Sequence, residues 1–289
     1  MTPRLLTISD LPQALGLSSS AGWNQTTSDW LRLLKLAPES CFGIESDGSL
    51  VATATLLPYG RRLAWVGMVL TRRDYQHRGL ARQLLAHALA AAGALGIETV
   101  KLDATDQGQP LYEKLGFVAE RGIERWSWNG SCDVAAQPGV SVPLESLAGL
   151  DSEAFGADRT QLLDLLAAAG ACAPLLTAEG YALWTPGQIA NHIGPCVART
   201  PEAARDLIAG CLAQAAASPA LQNAPQALQN APQALQKWMW DLFPDNAPAL
   251  ELASRLGFQP VRRLTRMRLG PPIAERPGLV YAAAGFELG

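Results

Sequence analysis

The first half of the chain alternates short apolar runs with stretches of helical period. Residues 5–8, 41–45, 50–57 and 64–70 are runs of strand length, and residues 11–17 and 28–36 carry apolar side chains at helical spacing. Asp47-Gly48 sits between two of the runs and signals a hairpin, because both residues tolerate the left-handed backbone of a two-residue turn. From Gly79 onward Leu80, Ala81, Leu84, Leu85, Ala88, Leu89 and Ala92 form one stripe. A long helix therefore starts at that glycine, and it closes near residues 93–96. Residues 99–103 predict a buried strand, 109–115 a short helix and 117–128 a further strand. Around residues 129–142 the periodicity fails and glycine and proline accumulate, which divides the chain into domains 1–130 and 131–289.

The junction ahead of the long helix carries the most chemistry. Tyr75-Gln76-His77-Arg78-Gly79-Leu80-Ala81 leads from a strand into a helix N-terminus, where unpaired N–H groups and the positive end of the dipole point outward. Gly79 has no Cβ to hold an anion away and Ala81 has little more, so a phosphate oxygen can reach the main chain. Arg72, Arg73, His77, Arg78 and Arg82 crowd this stretch against a lone Asp74, although the chain as a whole has a net charge of −3. The local field favours a pyrophosphate.

The Gln-x-x-Gly-x-Ala turn at residues 76–81 resembles the acyl-CoA loop of the GNAT superfamily of N-acyltransferases. Leu111-Tyr112-Glu113-Lys114-Leu115-Gly116-Phe117 resembles the family's second signature, a helix bearing a tyrosine and closing on Gly-Phe. Gly22-Trp23-Asn24-Gln25 with Asp29-Trp30 is similar to the opening of a branch in which two such domains share a chain. The resemblance implies a mixed α/β fold of α+β type, with two GNAT folds in tandem and acetyl-CoA as co-substrate. It implies that Met68, Val69 and Leu70 bind the acyl carbonyl and pantetheine arm through their main chain. Gln76, His77, Arg78, Gly79, Leu80 and Ala81 would then hold the pyrophosphate. Tyr112 matches the family's general acid toward the departing thiol, and Thr105 stands where the family often has a pantetheine-binding asparagine.

The second half repeats the first. At an offset of 141 residues Leu115, Gly116 and Phe117 fall on Leu256, Gly257 and Phe258, while Arg121 and Arg125 fall on Arg262 and Arg266. At an offset of 123 the long helix recurs through Ala203, Ala204, Leu207, Ile208, Cys211 and Leu212, and at 127 Gly67 falls on Gly194. The four-residue difference between the last two offsets removes the Gln-x-x-Gly segment and leaves Thr200-Pro201-Glu202, with a glutamate where an anion would sit. Ala253 replaces the tyrosine. The second domain is thus expected to be a degenerate GNAT fold that has lost acyl-CoA binding. It carries a low-complexity insertion at 218–236, where prolines at Pro225 and Pro232 block a continuous helix.

Composition narrows the classes. No apolar stretch has the length of a membrane span and Met1-Thr2-Pro3-Arg4 opens no signal peptide, so the expectation is a cytoplasmic protein that engages no membrane. A net charge of −3 argues against a nucleic-acid partner. Five dispersed cysteines and three histidines show no metal-ligand spacing, so no metal is expected. The function expected is transfer of an acetyl group from acetyl-CoA to a primary amine of a small molecule or protein, with a non-catalytic acyl-CoA-binding regulator as the alternative. For the general base, Asp29, Glu45, Asp103, Asp106 and a water chain all stay open. Trp23, Asn24, Gln25 and Trp30 suit either an acceptor pocket or the core.

Overall fold

A computed structural model describes residues 1–129, 147–168, 174–217 and 237–289. Most of the boundary stretch, the whole 218–236 insertion, Cys132 and Cys172 lie outside the described residues. The chain forms two compact units. One holds Met1–Glu120, Thr265–Ile273 and Phe286–Gly289, and the other holds Arg121–Leu264 and Ala274–Gly285. The division at residue 130 follows chain order, whereas the units interleave late segments with early ones.

In the first unit the order is β1 (Arg4–Leu5), α1 (Leu11–Ser20), α2 (Thr27–Leu36), β2 (Cys41–Ser46), β3 (Ser49–Tyr59), β4 (Leu63–Thr71), α3 (Leu80–Ala94), β5 (Thr99–Ala104) and α4 (Gln109–Lys114). The strand expected at 5–8 stops at Leu5, because Asp10 takes the Thr7 amide at 2.8 Å and winds residues 8–10 into a 3-10 turn. The hairpin at Asp47-Gly48 has both residues at positive φ, 51° and 73°. β1 through β4 pair antiparallel in sequence order, and β4 then pairs parallel with β5. Ala52, Ala54, Leu56, Ala64 and Val66 face Leu84, Leu85 and Ala88 of α3 in one apolar cluster, with Tyr112 and Phe117 of the α4 region. Burying those aliphatic side chains contributes about 1.5–3 kcal/mol each for the larger ones, which fixes α3 against the sheet.

β6 (Val118–Asn129) follows α4 in sequence and then leaves, since Glu124 to Asn129 pair antiparallel with β10 (Lys237–Leu242) of the second unit. The antiparallel partner of β5 comes instead from β11 (Gln259–Leu269), through Thr265 to Leu269. The second unit also has α5 (Ala148–Phe155), α6 (Thr160–Ala168), β7 (Leu175–Thr177), β8 (Gly180–Thr185), β9 (Asn191–Ala198), α7 (Pro201–Ala217), α8 (Ala247–Arg255) and β12 (Val280–Ala282). It repeats the plan of the first: β7, β8 and β9 pair antiparallel, and β9 pairs parallel with β10. The repeated positions coincide in structure as well. Gly116 and Gly257 end α4 and α8 at φ 91° and 84°, and Leu207, Ile208 and Cys211 are buried as Leu84, Leu85 and Ala88 are.

Arg4 ties β1 to the turn at Asp10, donating to its carboxylate at 2.9 and 2.7 Å. That hydrogen bond holds the Asp10 carboxyl down at about 2. A carboxyl whose folded value lies below its unfolded value stabilises the fold above the ordinary carboxylate range, and the contribution disappears as pH falls through the folded value. Asp10→Asn should therefore lower thermal stability at pH 6, with the difference shrinking between about pH 4 and pH 2. Circular-dichroism melts across that range check it.

Candidate active site

The local sequence opens a gap in the first unit's sheet. Parallel pairing of β4 with β5 covers Leu63, Ala64 and Trp65 against Thr99, Val100 and Lys101 and then stops, although β5 stays in its ladder with β11 as far as Ala104. Opposite the gap, the β3–β4 register slips between Thr53/Leu70 and Thr55/Gly67, so β4 bulges by one residue. Met68 takes φ 49° there, a conformation that costs a bulky residue about 1–2 kcal/mol. Thr53 Oγ1 holds the bulge by donating to the Met68 carbonyl at 2.8 Å. Main-chain groups of residues 67–70 are thereby turned toward a wedge between two strands.

β4 runs out at Thr71 into a 3-10 turn and then into the loop ahead of α3. His77 sits at φ 61° and Gly79 at φ 80°, and a Cβ on Gly79 would have nothing within 4 Å. Among the described residues no carbonyl or side chain takes the amides of His77, Arg78 or Gly79. Leu80 and Ala81 add the orphan amides of a helix's first turn. These N–H groups form a concave, exposed cradle at the positive end of a fifteen-residue helix. Unpaired amides at a helix N-terminus suit an anion, and the open space beside Gly79 leaves room for one to approach.

The arginine cluster proves partly committed. Arg72 is paired with Asp74 at 2.7 and 3.0 Å, and Arg78 donates to the Asp74 carbonyl at 2.7 Å. Both guanidinium groups also stack on the Tyr75 ring, at 4.5 and 4.6 Å. They stiffen the loop, while Arg73 and Arg82 stay exposed beside it. Gln76 points back to the Thr71 carbonyl at 3.3 Å, so its side chain shapes the loop from behind.

Tyr112 lies in the same apolar cluster as Leu80, Val69 and Ala104, packed edge-on to Phe117 with ring centroids 6.0 Å apart. Burial pushes its phenol up to about 12. Thr105 is its near neighbour across Gly108, whose missing Cβ would meet Tyr112 Cε2 at 3.1 Å and Thr105 Oγ1 at 3.4 Å. The Thr105 hydroxyl accepts the Gly108 amide at 3.1 Å and so starts α4. The predicted residues of β4, the loop, Thr105 and Tyr112 therefore gather around one end of α3.

Three of the four carboxylates considered as a base have structural employment. Asp103 grips Arg266 of β11 with both oxygens at 2.9 Å, Asp29 caps α2 and pairs with Arg32 at 2.7 Å, and Glu45 pairs with Arg4 at 2.9 Å. Asp106 is exposed. Trp30 is fully buried and donates to Ser18 at 3.3 Å, a core role, whereas Gln25 is buried with its carbonyl oxygen unpaired among the described residues.

The second unit has the same wedge and fills it with its own chain. β9 pairs with β10 through Asn191, His192 and Ile193, and beyond them β12 takes over the edge at Cys196 and Val197. Trp240 Nε1 donates to the Tyr281 carbonyl at 2.7 Å, Asn246 Nδ2 to the Val280 carbonyl at 2.9 Å, and the Ala283 amide to the Asp241 carbonyl at 2.8 Å. Asn246 stands at the offset of 141 from Thr105. The turn into α7 is only Arg199-Thr200, because the helix starts two residues ahead of the aligned stripe, and Thr200 Oγ1 takes the Ala203 amide at 3.2 Å. No cradle like that of residues 77–79 forms there. Buried Asp241 holds Arg125 at 2.7 and 2.6 Å, the counterpart of Asp103 with Arg266.

Comparison with known proteins identifies the fold of both units. The family model described as "Acetyltransferase (GNAT) family" matches residues 11–117, and "Acetyltransferase (GNAT) domain" matches residues 147–240. An uncharacterized N-acetyltransferase of Bacillus subtilis is 26% identical over 67% of this chain and 72% of its own. A putative acetyltransferase from Pyrococcus horikoshii superposes with a TM-score of 0.80 at 23% identity, covering 99% of this chain and 95% of that one. A tandem GNAT protein from the clavulanic acid biosynthesis pathway gives 0.60 at 18% identity over 93% and 99%.

Replacing Arg266 by Leu leaves Asp103 buried without its guanidinium, which should destabilise the protein by about 3 kcal/mol. The double replacement of Arg266 and Asp103 by Leu should recover most of that loss in denaturant unfolding.

Proposed function

Since this chain belongs to the GNAT acetyltransferase family and carries two of its domains in tandem, we propose that the first unit transfers an acetyl group from acetyl-CoA to a primary amine. The observation that carries the reading is the set of unpaired amides at residues 77–79 ahead of α3, opening beside a β4 edge that β5 has left. The loop amides receive the pyrophosphate. The edge of β4 that β5 leaves, at Met68, Val69 and Leu70, receives the pantetheine and the thioester carbonyl, and a main-chain donor aimed at the developing oxyanion contributes about 3 kcal/mol.

The neutral amine attacks the carbonyl carbon, the C–S bond breaks, the nitrogen gives up one proton to solvent, and the departing thiolate takes a proton. Tyr112 is the proposed donor. Its phenol near 12 is mismatched to a thiol in water by roughly 3.5 pH units, about 5 kcal/mol. The mismatch closes when the sulfur leaves inside the same dry surroundings, as burial alone carries the Cys41 thiol to about 12. A phenol that stays protonated at every physiological pH is a standing donor.

Calorimetry with acetyl-CoA should give one site per chain, because the second unit's wedge is taken by β12. Gly79→Val should weaken that binding about tenfold or more, since a β-branched residue resists φ 80° and its side chain would enter the cradle. Absence of binding to the unaltered protein would overturn the reading.

Tyr112→Phe should lower the rate of amine-dependent thiol release from acetyl-CoA by about 10²-fold, with acetyl-CoA affinity unchanged. Amine-independent binding with no release across a panel of primary amines would favour the regulator instead.

A further inference from the structure

Two uncharged side-chain oxygens of the first unit, Gln25 Oε1 and Thr55 Oγ1, are buried without a hydrogen-bond partner among the described residues. Both belong to the side of the sheet opposite α3. Thr55 stands between Ala54 and Leu56, which meet α3, so its own side chain points the other way. By register it lies beside Cys41 of β2 and Gly67 of β4. Cys41 Sγ donates to the Leu33 carbonyl of α2 at 3.6 Å, which sets α2 on that face, and α1 packs on β3 and β4. Gln25 closes the loop between the two helices, immediately ahead of the cap residue Thr26. Gly67 precedes Met68, and main chain of the 286–289 segment lies against it: a Cβ there would stand 2.8 Å from the Glu287 carbonyl oxygen.

The polar side chains around them are engaged. Ser18 Oγ accepts from Trp30 Nε1 at 3.3 Å, Asp29 accepts the Thr26 amide at 2.7 Å, and Thr53 Oγ1 donates to the Met68 carbonyl at 2.8 Å. Gln25 and Thr55 are 8% and 0% exposed, so bulk water does not serve their oxygens. Buried polar atoms without a partner are costly and rare, and two on one face mark a place built to meet a donor. We propose that Gln25 and Thr55 are specificity-determining residues for the acceptor: their oxygens accept the two N–H groups of a primary amine as it attacks the thioester. The inference rests on reading the β4 wedge as the thioester site. With the coenzyme on the α3 side, the acceptor comes to the carbonyl from the other face of β4, the face that Thr55 and the α1–α2 loop share.

Such a pair selects primary amines. A neutral primary amine that aims its lone pair at the carbonyl carbon turns two N–H groups away from it, and two acceptor oxygens match them. A secondary amine has one N–H, so it leaves one oxygen unpaired and sets an alkyl group against a buried polar atom. Both oxygens are uncharged, so they add no hold on the ammonium form. Neither an amide oxygen nor a hydroxyl is a base at neutral pH, and the proton still leaves to solvent.

The test compares n-butylamine with N-methylbutylamine, bases of nearly equal strength, in thiol release from acetyl-CoA by the full chain. The unaltered protein should favour n-butylamine about tenfold or more in kcat/KM. Gln25→Met and Thr55→Val each leave one acceptor oxygen, which either amine satisfies, so each should reduce the preference to about twofold or less by slowing n-butylamine. Thr55→Ser, which restores a hydroxyl, should retain the preference. Thr55→Val keeps the side chain's shape and removes only an unpaired oxygen, so it carries the test where Gln25→Met fails to fold. The proposal falls if the preference survives either replacement in folded protein, if the unaltered protein shows no preference for n-butylamine, or if it releases no thiol with that amine. Acetyl-CoA affinity, measured separately by calorimetry, keeps these outcomes apart from failure of the site itself: a protein that binds the coenzyme normally and does not distinguish the two amines refutes only the acceptor assignment.

Discussion

A β-strand cannot leave its neighbour without finding other partners for the peptide groups it exposes, and this constraint organises both halves of the molecule. In the first unit β4 parts from β5 after Trp65, and a bulge at Met68 turns the freed groups into the opening. In the second unit β9 parts from β10 after Ile193, and the chain satisfies the same groups with β12. One geometry thus has two solutions. Where the wedge is met by residues 280–284, a peptide carbonyl at Val280 takes the hydrogen bond of Asn246, much as an amide of a bound ligand would.

The duplicated ion pairs follow the same logic. Asp103 with Arg266 and Asp241 with Arg125 join each β5-type strand to a strand that arrives from the other half of the sequence. A buried carboxylate held by a guanidinium adds little net stability over an apolar pair, yet a wrong strand in that place would leave the charge unmatched. The pairs therefore favour the correct register among chemically similar strands. Asp241 is held well below the usual carboxylate range by the guanidinium of Arg125, against the opposing effect of its own burial.

Local signals made much of this legible. The stripe beginning at Leu80, the Asp47-Gly48 turn and the Gly116/Gly257 correspondence each depend on residues close together in sequence, so pattern alone located α3, the β2–β3 hairpin and the repeat. The loss of a Gln-x-x-Gly turn before α7 was readable for the same reason. Contacts made at long range were not. Nothing near Gly67 announces Glu287, and nothing in the run 64–70 announces that Met68 adopts a left-handed backbone, since methionine carries no preference for it. Asp29, Glu45 and Asp103 look alike in sequence as candidate bases, and only their partners Arg32, Arg4 and Arg266 distinguish them. The short strand 280–282 between proline- and glycine-rich stretches likewise gives no hint that it completes β9.

The exchange of β6 and β11 has a consequence for biogenesis. The ladder of β5 needs Thr265 to Leu269, which leave the ribosome long after β5 itself. Until then β5 presents an unpaired edge, and the growing polypeptide must wait in a partly assembled state exposed to mispairing. Maturation of the first unit is thereby placed under the control of segments translated much later, so a ribosome that stalls before β11 leaves a fragment without a finished sheet.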